Sequence, residues 1–226
     1  MANTPNNDDK SAIEEVNDSL TGVGVKIQNN PKVIVYACVG VAIIVAIVLI
    51  WIYAVRQPGM NAAANALGQA DIELMMGNDS VALDKFRNVA DEYGYKSGDI
   101  AALNAAIILY KDKKYEEALT YLKKYSTTET IIGAGAKSLE GDCYVNLKQY
   151  PQALDAFKAA VKVSDNNPYY TPVFLMKQAT VLREMKDYKA EAAIYEQILK
   201  DYPKAPAALN VDIEKYLQRA KASEAK

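Results

Sequence analysis

The residues of this chain that could do chemistry are few, and their spacing works against catalysis. Paired carboxylates at Glu14-Glu15, Asp91-Glu92 and Glu116-Glu117 are the types that acid–base catalysis needs. Adjacent residues on a helix point about 100° apart, so such pairs do not converge on one substrate atom and read as solvated faces. The sequence contains no histidine, which removes the commonest general base, triad member and metal ligand together. Its two cysteines, Cys38 and Cys143, fall in a hydrophobic run and in a predicted helix, so no disulfide between them is expected. There is no phosphate-binding glycine loop and no zinc spacing, and Gly133-Ala134-Gly135 reads only as a helix start. The expectation is a protein without enzymatic activity, cofactor, metal or small-molecule ligand.

Charge narrows the class further. With 26 basic and 28 acidic residues and no Lys/Arg cluster, the electrostatic attraction that dominates nucleic-acid binding is missing. Half of the residues are apolar, enough for a sizeable core.

Residues 33–55 form 23 consecutive residues without a charge, and as a helix they would extend roughly 34 Å, enough to cross a bilayer. Tyr36, Trp51 and Tyr53 lie near the ends of the run, where amphipathic rings favour the membrane interface, and Lys32 and Arg56 close it. A cleaved signal would have a shorter apolar stretch, a basic start and a small-residue cleavage site, so the run reads as an uncleaved anchor. Lys26 and Lys32 before the span, against Arg56 alone after it, favour an N-terminus on the inside. In a bacterium the larger part would then face the periplasm. Cys38, Ala42 and Ala46 recur every four residues as a small-residue stripe that would let a partner helix approach closely. In the head, Ser11 to Glu14 matches a capping box, followed by Ile13, Val16 and Leu20 at helical spacing.

The elements beyond Arg56-Gln57-Pro58-Gly59 repeat. Ala82, Ala118, Ala153 and Glu191 follow one another in steps of 36, 35 and 38 residues, each within a similar turn-and-helix segment. Small residues recur one helix earlier at Ala70, Ala106, Gly141 and Ala179, and large ones follow at Phe86, Leu122, Phe157 and Tyr195. An aromatic precedes the second helix at Tyr115, Tyr150 and Tyr188, and a closing proline stands only at Pro203. This pattern resembles the tetratricopeptide repeat, which implies pairs of antiparallel helices. Asp79 departs from it in the first unit and Glu191 in the fourth. The predicted fold is all-α: a soluble head over residues 1–32, a transmembrane helix over 33–55 and a linker over 56–61. About four repeats follow over 62–206, then a capping helix and tail over 207–226. Most of the 16 tyrosines occupy packing positions of the repeat or inter-repeat turns.

The resemblance also implies that the first helix of each repeat lines a groove. Its inward positions, carried over, place Leu67, Leu74, Met75, Leu103, Ile107, Tyr110, Val145 and Met176 there as a protein-binding surface. Leu103, Ile107 and Asp142 stand where carboxylate-gripping relatives place basic or amide groups, so the front of this groove suits hydrophobic segments instead. The whole layout resembles the ancillary subunit family of the bacterial Sec translocon. That resemblance implies a scaffold of the bacterial inner membrane, with the Sec channel and a membrane-anchored periplasmic chaperone of the parvulin-like type as partners. The alternative is a structural scaffold of another envelope complex, serving outer-membrane assembly, cell-wall synthesis or secretion without client binding.

Overall fold

The computed structural model describes residues 31–126 and 129–225. The capping box at Ser11 and the short helix expected after it lie outside the described residues. The chain divides into two units, residues 1–58 and 59–226.

In the first unit, helix α1 (Pro31–Trp51) is followed by five residues, Ile52–Arg56, wound as a wider π-type turn. From Val35 to Trp51 the large apolar side chains are all 47% or more exposed. A helix of this length without a charged residue from Val35 to Trp51 is long and apolar enough to cross a membrane. Cys38, Ala42 and Ala46 share one exposed face of it.

Helix α2 (Gln57–Met75) includes residues 57–61, which the sequence reads as a linker. Pro58 directly follows the π-type turn, in which the Gln57 N–H reaches back to Ile52 O and a wider winding accompanies a residue with no N–H to donate. Seven further helices complete four pairs: α3 (Asp79–Glu92), α4 (Lys96–Lys111), α5 (Tyr115–Leu122), α6 (Thr130–Asn146), α7 (Tyr150–Val163), α8 (Thr171–Glu184) and α9 (Tyr188–Asp201). The short α10 (Ala205–Leu209) and α11 (Ile213–Glu224) follow, and α11 packs on α9. The expected single capping helix is thus split, because Asn210 takes a left-handed φ of 53° that ends α10. Among the described residues there is no strand.

The small-and-large alternation of the sequence is the packing code of this unit. Ala70, Ala106, Gly141 and Ala179 are buried on the first helices, and Ala82, Ala118 and Ala153 on the second. They let the backbones approach so that Phe86, Leu122, Phe157 and Tyr195 fill the gaps. Phe157 lies so close to Gly141 that an added methyl would come within 2.8 Å of three ring carbons. Burying each phenylalanine stabilises the fold by roughly 2–3 kcal/mol. The thiol of Cys143, wholly enclosed in this core, is pushed up to about 12, chiefly by burial.

Every pair turns in the same way. Gly77, Lys113, Lys148 and Lys186 take positive φ of 78°, 62°, 58° and 61°. Each N–H reaches back to a carbonyl of the preceding helix at 2.9–3.0 Å, and the next residue bonds the carbonyl one residue deeper, as Lys114 N does to Leu109 O at 2.8 Å. These paired bonds satisfy the carbonyls that a helix end leaves open. The same turn four times over sets the first helices side by side.

Candidate interaction groove

Hydrogen bonds between consecutive first helices define one continuous face. Asn104 on α4 donates to Asp71 on α2 at 3.4 Å, Asn146 on α6 to the Tyr110 hydroxyl on α4 at 3.5 Å, and Lys177 on α8 to Ser138 and Asp142 on α6 at 2.9 and 2.5 Å. Burial raises the Asp71 carboxyl above its ordinary range. Asp142 is neutralised within this face by Lys177.

The eight residues assigned to the groove from the sequence do not share one environment. Leu67, Leu74, Leu103 and Tyr110 are half-buried against the core of the first two repeats, Val145 against the third and Met176 against the last. Met75 and Ile107 are exposed. Packing against their own repeat leaves most of these side chains only an edge to offer.

The open apolar surface lies partly elsewhere. A cleft of about 610 Å³ between α4 and α6 counts Ile100, Leu103 and Ile132 among its lining residues. At its rim Lys96 bonds Glu129 at 2.7 Å, which holds the ammonium above its ordinary range, and Asp99 accepts from Ser126 Oγ at 2.9 Å. Ile132 escapes a reading by repeat positions because α6 begins at Thr130, before the positions that the repeat pattern assigns to the groove. Gly133-Ala134-Gly135 lies inside this helix and does not start it. The signal available was the Ile131-Ile132 pair directly after a polar Thr/Glu stretch.

The carboxylate pairs that are described face solvent. Glu117 pairs with Arg87 and Asp91 with Lys124, joining α3 to α5 across their outer faces. No cluster of three metal-ligating side chains occurs among the described residues.

A second site ends the first-helix face. Glu191, where the other repeats carry alanine, is wholly buried, and its Oε1 accepts from Arg183 Nε at 2.8 Å. Arg219 of α11 brings Nη2 within 4.0 Å of the same oxygen and stacks over Tyr216, its guanidinium 4.8 Å from the ring centre. Burial first, then the Glu191 charge, push the Tyr195 phenol up to about 12.

Antiparallel helix pairs with small residues at every crossing and a continuous first-helix face define a helical-repeat scaffold, a fold that generally mediates protein–protein interaction and not catalysis. The chain belongs to the tetratricopeptide repeat-like domain family, whose model matches residues 57–183, and the tetratricopeptide repeat model matches residues 174–205. Among solved structures it is similar to the MamA protein, at 17% identity and a TM-score of 0.53 over 71% of this chain and 87% of that one. It is also similar to a Podosopora anserina protein of nearly identical TPR-like repeats, at 12% identity and a TM-score of 0.55 over 72% and 86%. These likenesses show the fold. No curated protein matches the sequence.

Proposed function

We propose that the chain is a membrane-anchored, non-catalytic scaffold whose first-helix face receives hydrophobic segments of partner or client polypeptides. The observation that carries this reading is the cleft between α4 and α6, lined in part by Ile100, Leu103 and Ile132, with Ile107 exposed on α4, on a fold that generally binds proteins. The aliphatic surface of α1 supports anchoring, since water solvates such a surface poorly and lipid does not penalise it. The Lys26/Lys32 bias supports an N-terminus in the cytoplasm and a repeat unit in the periplasm of a bacterial inner membrane. In that setting the layout fits an ancillary factor at the Sec translocon, beside a membrane-anchored periplasmic chaperone, meeting polypeptides as they emerge. Cys38, Ala42 and Ala46 would give a partner's transmembrane helix a close approach.

Apolar burial at roughly 25 cal/mol per Å² is sequence-tolerant and weakly dependent on salt, which suits varied clients. The test is the full chain in mild detergent, with and without Ile100→Asp and Ile107→Asp together, titrated with a permanently unfolded, carboxymethylated polypeptide. Both side chains are more than a third exposed, so the fold is expected to survive. Retained helicity with at least tenfold weaker binding is the expected result. Unchanged binding by a folded double variant would remove this cleft from the function.

A further inference from the structure

The repeat unit begins at Gly59, three residues beyond the Arg56 that closes the apolar run, so the two are separated by no more than about 11 Å of extended chain. Tyr95, in the connection between the first two repeats, packs on Gly59 so closely that an added methyl would come within 3.3 Å of its hydroxyl and two ring carbons. Lys96 bonds Glu129 at 2.7 Å and Asp99 accepts from Ser126 Oγ at 2.9 Å, which sets the second connection beside the first. Ala134, Ala160 and Phe174 form one buried cluster that brings in the third, residues 164–170. The Tyr202 hydroxyl donates to Asn166 Oδ1 at 3.3 Å and adds the fourth. All four inter-repeat connections therefore share the end at which the chain enters the unit. Among the described residues of this unit, only two tyrosines are exposed, Tyr169 at 75% and Tyr170 at 45%, and both stand in the third connection. Asn167 Oδ1 accepts from both of their N–H groups at 3.0 and 3.1 Å, so the loop is fixed while the rings stay outside. Ile131, 51% exposed, stands at the same end in the first turn of α6. At the opposite end Tyr115, Tyr150 and Tyr188 are half-buried and Lys113, Lys148 and Lys186 face solvent. The exposed apolar side chains there, Met75 and Met76 among them, carry no ring.

We infer that the inter-repeat end of this unit rests on a lipid bilayer surface, with Tyr169 and Tyr170 in the headgroup region and Ile131 at the acyl boundary. The inference rests on the membrane anchoring of α1 proposed above, because the short tether is what keeps this end within reach of lipid. Tyrosine suits such a position: its ring gains by leaving water while its hydroxyl stays hydrogen-bonded among the headgroups. Charge supplies no attraction here. Lys96 pairs with Glu129 and Lys124 with Asp91, and Asp165 and Asp201 accompany Lys162 and Lys204 in the later connections, so no basic patch faces the lipid. The contact is therefore expected with zwitterionic lipid, and at low and high salt alike.

The test uses the single tryptophan of the chain, Trp51, near the end of the apolar run. The full chain is reconstituted into phosphatidylcholine vesicles, part of whose lipid carries a nitroxide quencher close to the headgroup, and tryptophan emission is read. In the parent chain Trp51 is expected to be quenched at least twofold, which reports on the anchor. In a Trp51→Phe background, Tyr169→Trp is expected to be quenched at least twofold, with its emission moved to the blue, at low and high sodium chloride alike. Lys189→Trp, exposed at the opposite end, is expected to keep its emission. Tyr169 is three-quarters exposed, so the fold is expected to survive; should helicity fall, Ile131→Trp takes its place with the same expectation. A quenched Trp51 in the parent with an unquenched Tyr169→Trp indole would overturn the docking, leave the anchor standing and give the two tyrosines to a protein partner. An unquenched Trp51 would overturn the anchoring and this inference together. Equal quenching of Tyr169→Trp and Lys189→Trp would overturn the choice of this end. Quenching lost at high salt would overturn its aromatic basis.

Discussion

The third and fourth repeats place different residues at the same point of the second helix, and each is fully buried. In the third, Ala153 is 0% exposed, and Phe157 one turn on presses against Gly141 with no room for a methyl. In the fourth, Glu191 is also 0% exposed, yet it brings a charge into the helix crossing. What differs is the neighbour. Beyond α7 the next helix is α8 of another repeat, whereas α9 meets α11, which supplies Arg219 and Tyr216. The alanine of the repeat is therefore a requirement set by the neighbouring helix, and a charge is tolerated only where guanidiniums arrive to meet it.

Moving the charge to the wrong repeat is the most damaging way to test this. Ala153→Glu places a carboxylate against Phe157 and α8 with no arginine assigned to it, and is expected to destabilise the fold by about 4 kcal/mol or more. Urea denaturation followed by circular dichroism measures it. A cost under about 1 kcal/mol would mean that the crossing is loosely packed and that the two repeats do not differ as described.

Removing the charge's partner comes next. Arg183→Leu leaves Glu191 buried with only the distant Arg219 and should cost about 3–5 kcal/mol. Arg183→Leu with Glu191→Leu should recover most of that loss, because a hydrophobic replacement of a buried pair is often neutral. Equal destabilisation by the single and double variants would show that the pair contributes through shape and not through charge.

How far this contrast was legible in the sequence depends on contact range. The spacing of Ala82, Ala118 and Ala153 marks the crossings, and Glu191 stands out as the departure, because both signals are local to one repeat. The role of Arg219 was not legible. It lies 28 residues from Glu191, beyond the break at Asn210, and nothing in its neighbours marks it as a partner for a buried carboxylate. The groove was legible as a face but not as a surface: inward positions identify Leu74 and Val145, yet packing within the repeats half-buries them. Ile132 lies within the repeats but outside the positions that their pattern assigns to the groove.

The smallest effect is expected in the turns that the repeats share. Gly77 adopts its φ of 78° without a steric penalty, whereas Lys113, Lys148 and Lys186 hold a left-handed conformation that costs an L-residue about 1–2 kcal/mol. Replacing one of these lysines by glycine removes that strain but raises the entropy of the unfolded chain, which takes back roughly 0.5–1 kcal/mol. It also removes a positive charge from beside a helix C-terminus, where such a charge contributes about 0.3–1 kcal/mol at low salt. Lys113→Gly is therefore expected to change stability by no more than about 0.5 kcal/mol at low salt. It should become stabilising as salt rises, because screening weakens only the lost charge term. Gly77→Ala, by contrast, should cost about 1 kcal/mol at every salt concentration, since its penalty is steric. Parallel urea titrations of the two variants at low and high sodium chloride read the difference directly. A Lys113→Gly effect independent of salt would mean that the lysines stand in these turns for a reason other than the helix dipole.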